Sequence, residues 1–216
     1  MTYGFIGTGN MGGALARAAA KAAGPANVLL YNRTMEKAER LARELGAKTA
    51  SAEDIAARCD YVFLGVKPGQ IPALLASLKP VLERRETPAV VVSMAAGVTL
   101  KALRDNAFET CPIIRIMPNT ACAVGAGMTT YTCSPEVTDS QRQTVLDSLS
   151  ASGLLEEIEE NLMGAGSAVA GCGGAYVCLF MEGLADGGVL CGLPRKKAQR
   201  MAAQMLLGIA TQALST

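Results

Sequence analysis

Close to its N-terminus the chain carries Gly7-Thr8-Gly9-Asn10-Met11-Gly12, a G-x-G-x-x-G run directly after the apolar stretch Tyr3-Gly4-Phe5-Ile6. Alone the pattern is weak, because glycines crowd many turns; its setting gives it chemistry. A strand ending at Gly7 and a helix opening near Asn10 bring unpaired amides and the positive end of the helix to one point, where a pyrophosphate binds. Gly7 permits the tight turn, Gly9 removes the Cβ that would hold a phosphate away, and Gly12 lets the helix lie close to the strand. Ile6 through Gly12 are therefore candidate dinucleotide-binding residues. The plainer alternative is a glycine-rich turn that holds no ligand.

A site for an unphosphorylated ribose places Asp or Glu about 20 residues beyond such a turn, against the 2′-hydroxyl. Here the corresponding stretch is Tyr31-Asn32-Arg33-Thr34, with no acid. A carboxylate would repel a 2′-phosphate, whereas Asn32, Arg33 and Thr34 can donate hydrogen bonds to one, Arg33 adding charge. The expected cofactor is NADPH, with NADH bound more weakly. The alternative leaves Arg33 a solvated charge and Thr34 a helix cap before Met35, a role expected of Thr34 in either case.

Three further segments follow apolar runs: Gly65-Val66-Lys67-Pro68, Ser93-Met94-Ala95-Ala96-Gly97 and Met117-Pro118-Asn119-Thr120. In open α/β sheets ligands lie beyond the carboxyl ends of strands, so these segments can line a groove for ribose, nicotinamide and a small substrate. Lys67 is either catalytic or a surface charge beside a fixed turn. Asn119 either bonds a carboxamide or shapes its own turn. The chain has no histidine. That excludes Ser-His-Asp and Cys-His catalysis, histidine metal sites and a histidine proton shuttle. No catalytic residue is identified, and the chemistry must come from a cofactor, carboxylate, lysine, tyrosine, hydroxyl or solvent.

The elements that must position these residues read as alternating short strands and helices. Strands are predicted at Tyr3–Gly7, Val28–Tyr31, Tyr61–Gly65, Ala89–Ser93, Ile113–Met117 and Met128–Thr132. Helices are predicted at Asn10–Ala23, Met35–Leu45, Ala52–Arg58, Gly69–Leu78, Leu100–Asn106 and Thr138–Ser150, the last capped by Thr138. This is the pattern of an α/β, doubly wound, mostly parallel sheet of Rossmann type. After Gly153 the texture changes: four glutamates fall within 155–160, then a Gly/Ala/Ser-rich stretch, then helices at Tyr176–Leu190 and Arg195–Leu214. No further strand is expected. The predicted division is a dinucleotide-binding domain over 1–158 and a short all-helical domain over 159–216. Two helices cannot bury both apolar faces alone, so a homodimer or higher homo-oligomer is expected.

Half of the 216 residues are hydrophobic and 18% are charged, which is a globular balance. With a net charge of +1, no Trp and 4% aromatics, nothing favours nucleic acid. No uninterrupted apolar run approaches the roughly 20 residues of a membrane span, and a strand from Tyr3 leaves no room for a leader, so no membrane association is expected. The cysteines (59, 111, 122, 133, 172, 178 and 191) are odd in number and form no C-x-x-C pair. Free thiols in the cytoplasm are expected, with no metal site.

Together the segments resemble pyrroline-5-carboxylate reductase. The resemblance is carried by Phe5–Met11, Gly65-Val66-Lys67-Pro68, Ser93-Met94-Ala95-Ala96-Gly97-Val98, Arg115-Ile116-Met117-Pro118-Asn119-Thr120 and Val124-Gly125-Ala126-Gly127, in that order. Gly173-Gly174-Ala175-Tyr176, Glu182, Asp186 and Gly192-Leu193-Pro194-Arg195 resemble the start of that family's helical domain. The resemblance implies NADPH-dependent reduction of Δ1-pyrroline-5-carboxylate to L-proline, the last step of proline biosynthesis. It also implies a helical domain that interlocks with that of a second subunit. There are departures. Where the family has Leu-Ser-Gly-Ser-Gly-Pro-Ala-Tyr, this chain has Val169-Ala170-Gly171-Cys172-Gly173-Gly174-Ala175-Tyr176, a more flexible sequence. Ala121 replaces a proline. The family's later Ser-Pro-Gly-Gly-Thr-Thr stretch, part of its substrate site, has no counterpart before Thr216, so substrate-binding hydroxyls are unassigned. Two other readings remain. A β-hydroxyacid-type dehydrogenase also begins Gly-Phe-Ile-Gly but needs a second-domain lysine, where Lys196 and Lys197 look like exposed charges. A non-catalytic NADPH-binding relative is the other.

Overall fold

The structure is a computed structural model that describes residues 1–215. Two four-residue apolar runs, Tyr3–Ile6 (β1) and Tyr61–Leu64 (β4), lie side by side and parallel, every residue of both buried. They have neighbours on both edges and helices on both faces, so they read as continuous apolar runs rather than alternating ones. Val28–Tyr31 (β2) and Lys48–Thr49 (β3) extend the sheet beyond β1. Val90–Ser93 (β5), Ile113–Met117 (β6), Gly127–Cys133 (β7) and Gly153–Glu157 (β8) extend it beyond β4. The order is β3-β2-β1-β4-β5-β6-β7-β8, parallel throughout except for the β6–β7 pair. The chain builds outward from β1 on one side and returns to β4 on the other. The order therefore reverses between β1 and β4, and doubly wound sheets open a crevice at such a point.

The connecting helices are Asn10–Ala23 (α1), Met35–Leu45 (α2), Ala52–Arg58 (α3), Ile71–Leu82 (α4), Leu100–Asn106 (α5) and Asp139–Leu149 (α6). One core gathers Leu15 of α1, Leu41 of α2 and Leu149 of α6 on Phe5 and Phe63. The other gathers Ile55 of α3, Leu75 and Leu78 of α4 and Leu103 of α5 on Ile6, Val62 and Leu64. Successive strand residues face opposite sides, which is why Phe5 and Ile6 belong to different cores. Phe5 and Phe63 stack with centroids 4.4 Å apart, neither exposed to solvent. Thr138 caps α6 through a reciprocal pair: its hydroxyl accepts from the Gln141 amide at 3.2 Å, and Gln141 Oε1 accepts from Thr138 N at 2.9 Å.

Some elements differ from the sequence-based expectation. A strand, β8, occupies Gly153–Glu157, where none was expected. As an edge strand it tolerates exposed glutamates, so it lacks the apolar alternation that marks a strand. The two-residue β3 was also unexpected, being too short to show a pattern. α4 begins after a 3₁₀ turn at Pro68–Gln70 and continues through Pro80 to Leu82, four residues beyond the expected end. Pro80 forgoes one hydrogen bond near the helix terminus, and burial of Leu82 compensates.

The chain divides into two compact units, Met1–Gly171 and Cys172–Thr216. The first unit includes Met163–Gly166 (α7) and most of a π-helical turn, Ser167–Cys172, where the sequence reading saw only a small-residue stretch. In the second unit, Gly173–Leu190 (α8) and Arg195–Ser215 (α9) pack through small side chains, with Ala185, Ala198 and Ala202 buried. The glycine-rich entry of α8, expected to be flexible, is helical from Gly173. The stretch Glu160–Leu190, 31 residues, is long and apolar enough by length and composition to cross a bilayer. No uninterrupted apolar run stands out in the sequence, because glycines and Ser167 break up the larger apolar residues, although 161–181 carries no charge.

Phe63→Ala removes half of the central ring stack and leaves a cavity between β1 and β4. Its expected cost is about 3–5 kcal/mol, the range for Phe→Ala in a core. Urea unfolding of both proteins measures it, and a loss below about 1 kcal/mol would show that the site collapses freely.

Candidate functional site

At the end of β1 the chain turns sharply. Gly7, with φ at +103°, donates its amide to Tyr31 O at 2.8 Å, and Gly65 donates its own to Ile6 O at 2.8 Å. A Cβ on Gly12 would strike the Gly7 carbonyl, and one on Gly7 or Gly65 would strike backbone of the other. Gly9 differs, since nothing lies within 4 Å of where its Cβ would be. This open space faces the start of α1, where Gly9 caps in extended conformation with no side-chain cap and no acid in the first turn. The first amides of α1 are thus left for an anion, with no carboxylate to repel it. Thr8 Oγ1 is buried there without a protein partner.

A cleft of about 450 Å³ opens over the β1–β4 switch point. The ends of three strands form it: Ile6, Gly7 and Gly9 from β1, Tyr31 through Thr34 from β2, and Gly65, Val66 and Lys67 from β4. Half of the candidate residues from the sequence thereby meet at one place. Asn32 has structural duties in it, since its Oδ1 accepts from Thr8 N at 3.2 Å and its Nδ2 donates to Thr34 O at 3.1 Å. It ties the glycine turn to the loop after β2. Arg33 and Thr34 are exposed at the mouth. Thr34 occupies the N-cap position of α2, but its hydroxyl makes no capping bond, unlike the expectation, and so stays uncommitted. Pro68 lies just beyond, where Gln70 Oε1 accepts from Lys67 N at 3.2 Å.

Sequence reasoning passed over Lys37 and Gln70, which also line the cleft. Each stands three residues beyond a residue already singled out, Thr34 and Lys67, and so about one helical turn along; that spacing was the available signal. Lys37 also borders a smaller cleft of about 180 Å³ between α1 and α2, together with Arg17 and Arg40. Arg17 is held there by Glu44 in a two-pronged pair, at 2.7 and 2.8 Å.

Ala95, Ala96, Gly97 and Asn119 do not line the large cleft; they lie further along the same sheet edge. Ala95 is buried beyond β5, while Ala96 and Gly97 are exposed, Gly97 with φ at +75°. Asn119, two residues past β6, has both ends of its amide bonded to backbone: Nδ2 donates to Ala170 O at 2.9 Å and Oδ1 accepts from Met128 N at 3.3 Å. Among the described residues no group of three or more Cys, Asp or Glu is placed to hold a metal, and all seven cysteines are free. Burial pushes the Cys59 and Cys133 thiols up to about 11 and that of Cys111 to about 12, so these are neutral thiols rather than nucleophiles.

Comparison with known proteins agrees with this arrangement. A model described as "NADP oxidoreductase coenzyme F420-dependent" matches residues 2–97, and one for pyrroline-5-carboxylate reductase dimerisation matches residues 160–216. The pyrroline-5-carboxylate reductase of Corynebacterium melassecola is 36% identical over 217 residues, covering 100% of this chain and 80% of the relative. That of Escherichia coli K12 is 37% identical, covering 99% of this chain and 79% of the relative. Among solved structures, a pyrroline-5-carboxylate reductase from Coxiella burnetii superposes with a TM-score of 0.92 at 30% identity, covering 100% of this chain and 80% of that one. The Plasmodium falciparum enzyme, with NADP bound, gives 0.88 at 30% identity, covering 100% and 79%. With a glycine turn, an acid-free end to β2 and relatives matched along its whole length, this chain belongs to the pyrroline-5-carboxylate reductase family.

Proposed function

We propose that this protein reduces Δ1-pyrroline-5-carboxylate to L-proline with NADPH, closing the route of proline biosynthesis. The observation that carries the reading is the cleft at the β1–β4 switch point. It joins a glycine turn with an uncapped helix start to a β2 end bearing Arg33 and Thr34 in place of an acid. The residues present fit the dinucleotide: Gly9 leaves room where a pyrophosphate approaches, and the Thr8 hydroxyl lacks a partner.

In this reading Ile6 through Gly12 bind the pyrophosphate through backbone amides. Arg33 and the free Thr34 hydroxyl hold the 2′-phosphate, and Asn32 fixes the loop that presents them. Gly65, Val66, Lys67 and Pro68 flank the ribose, and Ala95, Ala96 and Gly97 lie at the nicotinamide end. The bound cofactor supplies hydride to the carbon of the C=N bond. A protonated imine is already electrophilic, so the chain's own task is placement and exclusion of water rather than acid catalysis. This suits a chain without histidine. A β-hydroxyacid-type dehydrogenase is disfavoured, because Lys196 and Lys197 are both exposed in the first turn of α9.

The helical domain is read as a dimerisation domain, which makes the protein a homodimer or a higher homo-oligomer. On α8 and α9 large side chains such as Tyr176 (72% exposed), Leu179 (65%) and Ile209 (60%) face outward. A second copy would cover them, which also accounts for the membrane-like hydropathy of 160–190. On this reading the sequence division at 158/159 marks where the dimerisation domain begins. Free thiols support a reducing compartment such as the cytoplasm.

Turnover is expected when pyrroline-5-carboxylate is added to the 216-residue chain with NADPH, read as loss of nicotinamide absorbance. NADPH binding by fluorescence without turnover would instead identify a non-catalytic relative. Arg33→Glu should weaken NADPH on the order of 10- to 100-fold, the worth of a charge-assisted bond, while NADH changes little. Equal losses for both would remove the 2′-phosphate assignment. Light scattering at micromolar concentration should report a dimer or larger; a monomer would defeat the dimerisation reading.

A further inference from the structure

A second polar framework lies on β6, away from the dinucleotide cleft. Arg115, whose side chain is only 11% exposed, pairs with Glu160 Oε1 at 3.1 Å. The same oxygen accepts from Leu100 N at 2.6 Å, at the start of α5. Beyond the end of β6, Asn119 reaches Ala170 O through Nδ2 while its Oδ1 accepts from Met128 N. Between these two links Gly166 lies on Thr130, where a Cβ would come within 3.2 Å of Thr130 Cγ2 and 2.8 Å of Ile158 Cδ1.

The register converts these links into a path. Arg115 is opposite Thr132 and Met117 is opposite Thr130 on the antiparallel β7. The chain from Glu160 to Ala170 therefore starts midway along β6, passes Thr130 and arrives beside Asn119, at the carboxyl edge of the parallel strands. It arrives as the π-helical turn Ser167–Cys172. Such turns are rare and concentrate at functional sites. From Ser167 to Gly171 no side chain is larger than valine, so the backbone of the turn is approachable. The exposed pair Ala96–Gly97 leads into Leu100, whose amide Glu160 also holds, so one frame carries both segments.

We propose that Asn119 is a positioning residue. Its amide holds the π-helical turn at the carboxyl edge of the sheet, where the turn's backbone walls the site for a small planar cyclic imine bearing a carboxylate. Arg115 and Glu160 fix the foot of the same segment. This rests on the reductase reading and deepens it. It gives Asn119 a task other than contact with a carboxamide, since each end of its side chain bonds main chain.

Asn119→Asp is the informative variant. It keeps the size and the acceptor for Met128 N but removes the donor to Ala170 O. In the full chain it should leave NADPH affinity within about twofold, and speed amide exchange in the turn roughly tenfold, as loss of one hydrogen bond does. KM for pyrroline-5-carboxylate should rise by a similar factor, on the order of tenfold, with a smaller change in kcat. Unchanged exchange would show that Asn119 does not hold the turn. Faster exchange with unchanged KM and kcat would show that the turn is no wall of the site. Weaker NADPH binding with unchanged exchange would return Asn119 to the cofactor. Should Asn119→Asp fail to fold, Glu160→Gln, which keeps an acceptor for Leu100 N but loses the ion pair, must loosen the same segment, and full protection there overturns the proposal. A wild-type chain without turnover sinks the reductase reading, while the exchange measurement still decides whether Asn119 holds the turn.

Discussion

Three backbones meet where β1 ends, and the rest of the molecule is arranged around their contact. Gly7, Gly12 and Gly65 approach so closely that no side chain fits at any of them. This contact sets the start of α1 directly on the β1–β4 pair, and it aims the unpaired amides of that helix over the point where the strand order reverses. The aromatic stack beneath, Phe5 on Phe63, keeps the same two strands from shifting relative to one another. Packing below and a lack of side chains above together leave main chain bare at the point where the strand order reverses.

Much of this was legible in the sequence. The glycine spacing gave the turn because each glycine answers to a separate steric demand. The helices α1, α2, α3 and α5 were read to the residue, since caps and glycines bound them. The acid-free end of β2 was visible as letters alone. Legibility failed where tertiary context overrules local pattern. β8 is a strand because β7 offers it an open edge, although its own residues favour solvent. The helical run after Glu160 read only as a Gly/Ala/Ser-rich stretch, yet Arg115 and Asn119 bind it to the sheet from 45 and 51 residues away. No window of sequence contains both partners of such a bond.

Among the candidate site residues the split follows the same line. Those in the turn and at the ends of β2 and β4 converge because strand ends are adjacent wherever strands pair. Asn32 and Asn119 were singled out for what an amide can offer a ligand, and in the structure their amides bond to main chain. A side chain's chemistry can be read from its letter, but whether its partners are already supplied depends on the fold. Lys37 shows the converse, a plain surface residue by sequence that borders two clefts.

The two margins of the sheet are unalike, yet they have the same consequence for association. β3 is only two residues long, and β8 ends in the exposed pair Glu156 and Glu157. Neither offers a long uncharged ladder of free amides and carbonyls on which a foreign strand could lie. Growth by strand addition, the route to fibrils and to sheet-continuous dimers, is therefore discouraged at both margins. Any association between copies would then fall to side chains on the helices rather than to the sheet's edges.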